Sequence, residues 1–126
     1  MNKVITLDEA LNHIKSGMTV AVGGFLGCGT PHTIINALAK KGVKDLTLIC
    51  NDTAYVDFGT GKLIVNKQIK KLYASHIGTN KETGNQINSG ELDAHLIPQG
   101  TLAERLRSAG TGLGGFLTPT GVGTPI

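Results

Sequence analysis

The sequence is short of aromatic residues and of net charge, and both shortages exclude a class of function. Only five of the 126 residues are aromatic, and none is tryptophan. Proteins that bind single-stranded nucleic acid need aromatic side chains on which bases stack. The net charge of +3, from twelve basic and nine acidic side chains scattered along the chain, is too small to indicate a nucleic-acid surface. We therefore expect no nucleic-acid partner.

Metal, disulfide and membrane chemistry are not indicated either. The two cysteines, Cys28 and Cys50, form no C-x-x-C motif, and the four histidines lack metal-ligand spacing. No run approaches the roughly 20 apolar residues that a membrane span requires, and the charged N-terminus lacks the apolar run of a signal peptide. The sequence thus predicts a cytoplasmic protein without a metal or a membrane segment, in which Cys28 is a small buried side chain.

Glycine is abundant, with 18 residues that fall mainly between short apolar runs. The runs at 18–22, 46–50, 71–75 and 91–97 are typical of strands, and helices are predicted at about 7–16, 31–41, 61–66, 81–90 and 101–108. This alternation predicts an α/β fold, an open and mostly parallel sheet flanked by helices, in one domain over residues 1–126. No internal repeat divides the chain. Because it ends in a glycine-rich loop with no closing element, we expect the domain to lack its C-terminal part.

Several helix ends carry local signals. Thr6 with Glu9, and Thr101 with Glu104, have the spacing of a capping box, in which each side chain accepts a hydrogen bond from the other residue's backbone N–H. Gly17 and Gly42 are expected to end the first and second helices in the left-handed conformation. Thr30 and Pro31 suit the N-cap and the first position of the second helix.

The segment from Gly23 to Gly29, between a strand and a helix, is the strongest local signal for a ligand. Glycines let the backbone approach a ligand closely, and a helix N-terminus offers N–H donors to an anion. It is not a dinucleotide fingerprint, since His32 stands where G-x-G-x-x-G requires glycine, and no Gly-Lys-Ser/Thr follows as in a P-loop. The alternative is a tight turn that only packs the helix on the strand.

A second candidate lies at Gln99, which follows the last predicted strand. In an open α/β sheet, ligands bind at the carboxyl ends of the strands, where Gln99 could direct amide N–H groups at a carbonyl oxygen. Asn51, Asp52 and Asn80 share that edge, and an ordinary polar turn is the alternative for all four residues. The glutamates are explained by caps and surface positions, so the sequence offers no activated carboxylate nucleophile. The chain looks like half of an active site.

Three blocks of sequence resemble the family I (3-oxoacid) CoA-transferases. The segment from Met18 to Pro31 is similar to the family's first signature, an apolar run followed by Gly-Gly-Phe and Gly-x-Pro. The segments from Leu96 to Arg105 and from Phe116 to Thr124 resemble two further blocks in the same order. The likeness is to the α subunit of the acetate or butyrate–acetoacetate type, which extends well past the position of Ile126.

The resemblance implies a reaction and a division of labour. Members move CoA from a short-chain acyl-CoA to a carboxylate such as acetate, butyrate or acetoacetate by ping-pong chemistry. The nucleophile is a glutamate in a Ser-Glu-Asn-Gly motif of the β subunit, which is absent here. The resemblance therefore implies an enzyme active only with its β subunit, as an α2β2 heterotetramer, with CoA or acyl-CoA as substrate and no tightly bound cofactor.

The resemblance also assigns site residues. Gln99 matches the glutamine that helps to form the oxyanion hole. The CoA-binding segment maps onto Gly24, Phe25, Leu26, Gly27, Cys28, Gly29 and Thr30. The alternative function is a non-catalytic α/β module that binds a phosphate or nucleotide ligand, as in related folds of sugar-phosphate isomerases and regulator effector domains.

Overall fold

Four apolar runs form one parallel sheet, in which the strands lie in the order of the chain, β1-β2-β3-β4. The strands are β1 (Thr19–Val22), β2 (Leu46–Asp52), β3 (Ile69–His76) and β4 (Asp93–Leu96). All three neighbouring pairs are parallel. The structure, a computed structural model, describes residues 3–125. The prediction of an α/β fold with a parallel sheet is confirmed.

Within the described residues, 3–125, five helices connect or flank the strands. They are α1 (Leu7–Asn12), α2 (His32–Lys41), α3 (Gly61–Val65), α4 (Lys81–Asn88) and α5 (Gln99–Gly110). Each of the first three strands is followed by a crossover to its immediate neighbour on the same side, so right-handed connections put α2, α3 and α4 on one face of the sheet. Only α5, after the last strand, crosses to the opposite face.

The core lies between the sheet and the face that is covered by α2, α3 and α4. Along β2 the side chains alternate between buried and half-buried, as the two-residue period of a strand requires. Leu46, Leu48 and Cys50 are buried against Ile35 of α2 and Leu63 of α3. The core is built mainly from aliphatic side chains.

The opposite face of the sheet is covered only in part. Ile49, Tyr73 and His95 lie in register across it, half-buried or exposed. Buried Leu102 of α5 covers the part nearest the carboxyl ends of the strands. That partial cover leaves the candidate site residues at an accessible edge. Among residues 3–125, no helix is long and apolar enough to cross a membrane.

The structure confirms some of the predicted helix ends. The Thr6 hydroxyl accepts from the Glu9 N–H at 3.3 Å, and Glu9 accepts from the Thr6 N–H at 2.8 Å, so this capping box is present. Gly42 ends α2 in the left-handed conformation, with a φ of 71°. Gly17 does not end the first helix, because α1 stops at Asn12 and the Gly17 N–H donates to the Lys44 carbonyl instead.

Two predicted helix starts are wrong. The N-cap of α2 is Pro31 rather than Thr30, because the Ile35 N–H donates to the Pro31 carbonyl and so closes the first helical turn there. The predicted box of Thr101 with Glu104 is absent, because α5 starts at Gln99. Pro98 is the N-cap of α5, and its carbonyl accepts from the Leu102 N–H, so the first helical turn closes there.

Candidate functional site

The glycine loop after β1 is a tight reverse turn. Phe25 and Cys28 exchange two backbone hydrogen bonds of 3.0 and 2.9 Å around the two residues between them. Those residues, Leu26 and Gly27, have φ angles of 51° and 85°. Two successive residues with positive φ define a type I′ turn, whose twist suits a closely paired hairpin. The loop is therefore preformed.

Side chains from outside the turn fix its position. The Leu26 N–H donates to Oδ2 of Asp52, at the end of β2, at 2.9 Å. Asp52 is 3% exposed, so this charge-assisted bond is made away from water, where it is strong. Nε2 of His32 lies 2.9 Å from the Gly27 carbonyl. Because a carbonyl only accepts, His32 donates through Nε2 and holds the turn from the α2 side.

Most of the N–H groups of the loop are used within the protein. Those of Phe25, Leu26, Cys28 and Thr30 all donate to protein acceptors. Within residues 3–125, the N–H groups of Gly24, Gly27 and Gly29 have no such acceptor. The start of α2 offers less than expected, because Pro31 has no N–H and the His32 N–H donates to the Thr30 carbonyl. An anion on this loop would therefore be bound by the glycine N–H groups.

A second loop, at the end of β2, has the same spacing and the same kind of bridge as the first. Residues 54–60 follow β2 as residues 24–30 follow β1, and Tyr55 and Phe58 form a bridge like that of Phe25 and Cys28. Each loop ends in Gly-Thr before a helix. The two consecutive strand–loop–helix units thus share this bridge and the Gly-Thr ending, whereas the positive φ angles of Leu26 and Gly27 have no counterpart at Val56 and Asp57.

The two loops pack against each other. The imidazole of His32 lies 4.5 Å from the ring of Phe58, centroid to centroid, and that ring occupies the space beside the hydrogen atoms of Gly27. Phe25, Tyr55 and Phe58 remain 50%, 43% and 43% exposed. Three of the five aromatic residues of the chain are thus presented at the carboxyl edge of the sheet.

The structure places Gln99 at the same edge, as the first residue of α5. Its Oε1 accepts a hydrogen bond from the hydroxyl of Ser75, near the end of β3. The Ser75 hydroxyl also contacts the Asn51 carbonyl, at 2.7 Å. Nε2 of Gln99 donates to no protein acceptor in the described part of the chain. The carboxamide therefore has its oxygen bound and its N–H groups available to a ligand.

A cavity of about 290 Å³ connects Gln99 to the glycine-rich segment. It is lined by Ala21, Val22, Gly23, Ile49, Cys50, Asn51, Gln99, Leu102, Ala103 and Leu106. Gly23 belongs to this lining, whereas residues 24–30 do not. The structure thus brings Gln99 beside the first glycine of the segment, and the turn itself lies further out.

None of the four glutamates lines this cavity. Glu9 caps α1, Glu82 accepts from Gln86 at 2.8 Å, Glu91 pairs with Lys67 at 2.6 Å, and Glu104 pairs with Arg107 at 3.1 Å. Every glutamate therefore has a structural partner elsewhere. Within residues 3–125, no group of three or more histidine, cysteine, aspartate or glutamate side chains could hold a metal ion.

The two cysteines differ sharply in environment. Cys28 is exposed in the turn, so the expectation that it is buried is wrong. Cys50 is 4% exposed, and burial, together with the nearby charge of Asp52, raises its pKa to about 12. Its thiol is therefore protonated and shielded.

Thiol alkylation should separate these two cysteines. Because the thiolate is the reactive species, iodoacetamide at about pH 8 should modify Cys28 and spare Cys50 in the folded protein. Peptide mass spectrometry gives the modified fraction at each position, and denaturation should make both reactive. Equal labelling of the two in the folded protein would contradict the buried position of Cys50.

A parallel α/β sheet with a glycine turn and a free carboxamide at its carboxyl edge has the architecture of the open-sheet α/β class, in which ligands bind at that edge. The chain belongs to the coenzyme A transferase family, whose model matches residues 4–126. It is 59% identical over 124 residues to the acetate CoA-transferase subunit alpha of Escherichia coli, covering 98% of this chain and 56% of that protein.

Two further comparisons agree with this family. The chain is 51% identical over 125 residues to the acetoacetyl-CoA:acetate/butyrate CoA transferase alpha subunit of Clostridium acetobutylicum, covering 99% of this chain and 57% of that protein. A crystal structure of an acyl-CoA transferase from Escherichia coli superposes with a TM-score of 0.81 at 26% identity, covering 95% of this chain and 25% of the other. The chain spans about half the length of the curated relatives it matches.

The sequence interpretation named Asp52 at this edge but missed its anchoring of the turn, and it missed Ser75 and residues 54–60 altogether. Asp52 anchors the turn, Ser75 contacts Gln99, and residues 54–60 supply the second loop. The second loop left a signal, since an aromatic residue followed four positions later by Gly-Thr recurs at an interval of 30 residues. Ser75 left none, because its contact depends on how α5 crosses the end of β3.

Proposed function

We propose that this chain acts as part of the α subunit of a heteromeric CoA-transferase. The enzyme moves CoA between a short-chain acyl-CoA and a carboxylate such as acetate, butyrate or acetoacetate. The observation that carries the proposal is the pairing of a free carboxamide at Gln99 with a cavity that no glutamate lines. Such a site can stabilise a thioester oxygen and needs a nucleophile from another chain.

Each part of the edge has a role in this proposal. The N–H groups of Gln99 bind the carbonyl oxygen of the thioester and hold it more strongly as negative charge develops there. The glycine turn, residues 24–30, binds CoA, with the unpaired N–H groups of Gly24 and Gly29 facing a phosphate or amide oxygen of the ligand. CoA and acyl-CoA are substrates in this scheme, and no tightly bound cofactor is required.

The β subunit supplies the nucleophilic glutamate. Its attack on the acyl-CoA carbonyl expels CoA thiolate and leaves an acyl-glutamyl anhydride. The thiolate then attacks the glutamyl carbonyl of the anhydride and releases the carboxylate, so that a glutamyl-CoA thioester remains. A second carboxylate reverses these steps and leaves with CoA. We propose an α2β2 heterotetramer in the cytoplasm as the working form.

The test is CoA transfer from a short acyl-CoA to acetate or acetoacetate. The α chain is expressed with its candidate β subunit, and each chain is also assayed alone. Turnover in the mixture alone is the expected result. Turnover by the α chain alone would overturn the division of labour, and its absence from a folded mixture would overturn the transferase assignment.

Protection of Cys28 tests the binding role separately. Since this exposed thiol lies in the turn, bound acetyl-CoA, which has no free thiol to consume the reagent, should slow its alkylation by iodoacetamide, while the reaction of an unrelated thiol peptide is unchanged. Protection without turnover would favour the alternative of a non-catalytic module that binds a phosphate or nucleotide ligand. Unchanged alkylation at saturating acetyl-CoA would remove the turn from the binding site.

A further inference from the structure

We infer that Ser75 is a positioning residue, which orients the carboxamide of Gln99 toward the substrate. This inference rests on the proposed function for the role of Gln99, and on the hydrogen bonds at the end of β3 for the role of Ser75. Ser75 touches no reacting atom in this scheme. It acts through Gln99.

The sheet register explains why Ser75 reaches Gln99. Cys50 pairs with Ala74 and Asp52 with His76, so Asn51 and Ser75 are lateral neighbours on the sheet face that α5 crosses. The Ile97 N–H donates to the Ala74 carbonyl, which ties the chain just before α5 to the same strand. These two constraints bring the first residue of α5 over the Ser75 hydroxyl.

The hydroxyl holds the carboxamide in one orientation. Ser75 has a single proton, shared between the Asn51 carbonyl, at 2.7 Å, and Oε1 of Gln99. A planar carboxamide whose oxygen accepts on one side directs its N–H groups to the other side. Gln99 is otherwise exposed, and a long exposed side chain without this bond would sample several rotamers. The bond to Oε1 also polarises the amide and strengthens its N–H groups as donors.

The consequence is kinetic. Without the Ser75 hydroxyl, the carboxamide is present but is oriented correctly for only part of the time. A group that acts in the transition state then loses kcat, while KM changes little. A serine with a purely structural role would change stability instead, and would do so whether or not Gln99 is present.

The test is a double-mutant cycle in the assembled enzyme. Ser75→Ala should lower kcat by about tenfold and change KM by less than about twofold, and Ser75→Thr, which keeps the hydroxyl, should restore most of the loss. In a Gln99→Ala background, Ser75→Ala should have no further effect. Ser89→Ala is the matched control, since that hydroxyl also donates to a backbone carbonyl, that of Gln86, but lies in the α4 region.

Two results would overturn the inference: a wild-type kcat for Ser75→Ala, or an equal loss with and without Gln99. A measurement independent of turnover keeps this test separate from that of the proposed function. In glutamine-labelled protein, the side-chain NH₂ resonances of Gln99 should be ordered in the wild type and mobile in Ser75→Ala. Unchanged order would overturn the role of Ser75 even if no acyl-CoA is turned over.

Discussion

Gln99→Ala in the assembled enzyme is expected to lower kcat by about 10²–10³-fold, the loss typical of removing one oxyanion donor. KM should change little, because the N–H groups of Gln99 gain strength only as charge develops on the thioester oxygen. Subunit assembly should be unaffected, since Gln99 is exposed and its one protein partner is the Ser75 hydroxyl. Steady-state kinetics with a short acyl-CoA and acetate measures both constants.

Gln99→Glu makes this prediction more specific. The substitution keeps the length of the side chain and an oxygen that can accept from Ser75, but it removes both N–H donors and adds a negative charge. Its kcat should therefore be at least as low as that of Gln99→Ala. Glu104→Gln, on the same helix, removes only a surface pair with Arg107 and should leave kcat unchanged. A Gln99→Glu enzyme as active as the wild type would exclude an oxyanion role for this residue.

A helix start that is set by a few consecutive residues could be predicted from the sequence. A helix start that has a stronger start signal close by in the chain could not. Thr6 and Glu9 form their capping box because nothing nearby offers another helix start. Thr101 and Glu104 have the same spacing, but Pro98 begins the helix three residues before Thr101 and places both inside it. A local pattern is thus a reliable guide only where no stronger signal lies within one helical turn.

The candidate site divides in the same way. The turn around Gly27 and the position of Gln99 at the sheet edge follow from local glycines and from strand order. The anchoring of the turn by Asp52 spans 26 residues, and the contact of Ser75 with Gln99 spans 24. Contacts of this kind depend on how neighbouring strands and α5 pack, and so they cannot be inferred from a pattern along the chain.

The packing of the two loops predicts a large effect at Gly27. A Cβ at this position would lie 2.1 Å from Cε1 of Phe58, far inside van der Waals contact, and the backbone there has a φ of 85°. The left-handed conformation and the forced shift of the Phe58 ring, which is 43% exposed, together give an expected loss of about 2–3 kcal/mol in the free energy of unfolding for Gly27→Ala. Urea unfolding of the α chain in its native assembly measures this loss.

Gly29 is the matched control, because its φ is 77° and a Cβ there would lie 3.8 Å from its nearest neighbour. Gly29→Ala should cost only the conformational part, about 1–2 kcal/mol. Phe58→Ala should remove the clash, so that adding Gly27→Ala to it costs no more than Gly29→Ala. An equal cost for Gly27→Ala and Gly29→Ala in the wild-type background would show that the loops do not constrain each other.

The same clash decides which glycine variant is the better test of CoA binding. Weak CoA binding by a Gly27 variant would report displaced loops. Gly29→Ala changes the turn without that clash and is therefore the better test of the binding role.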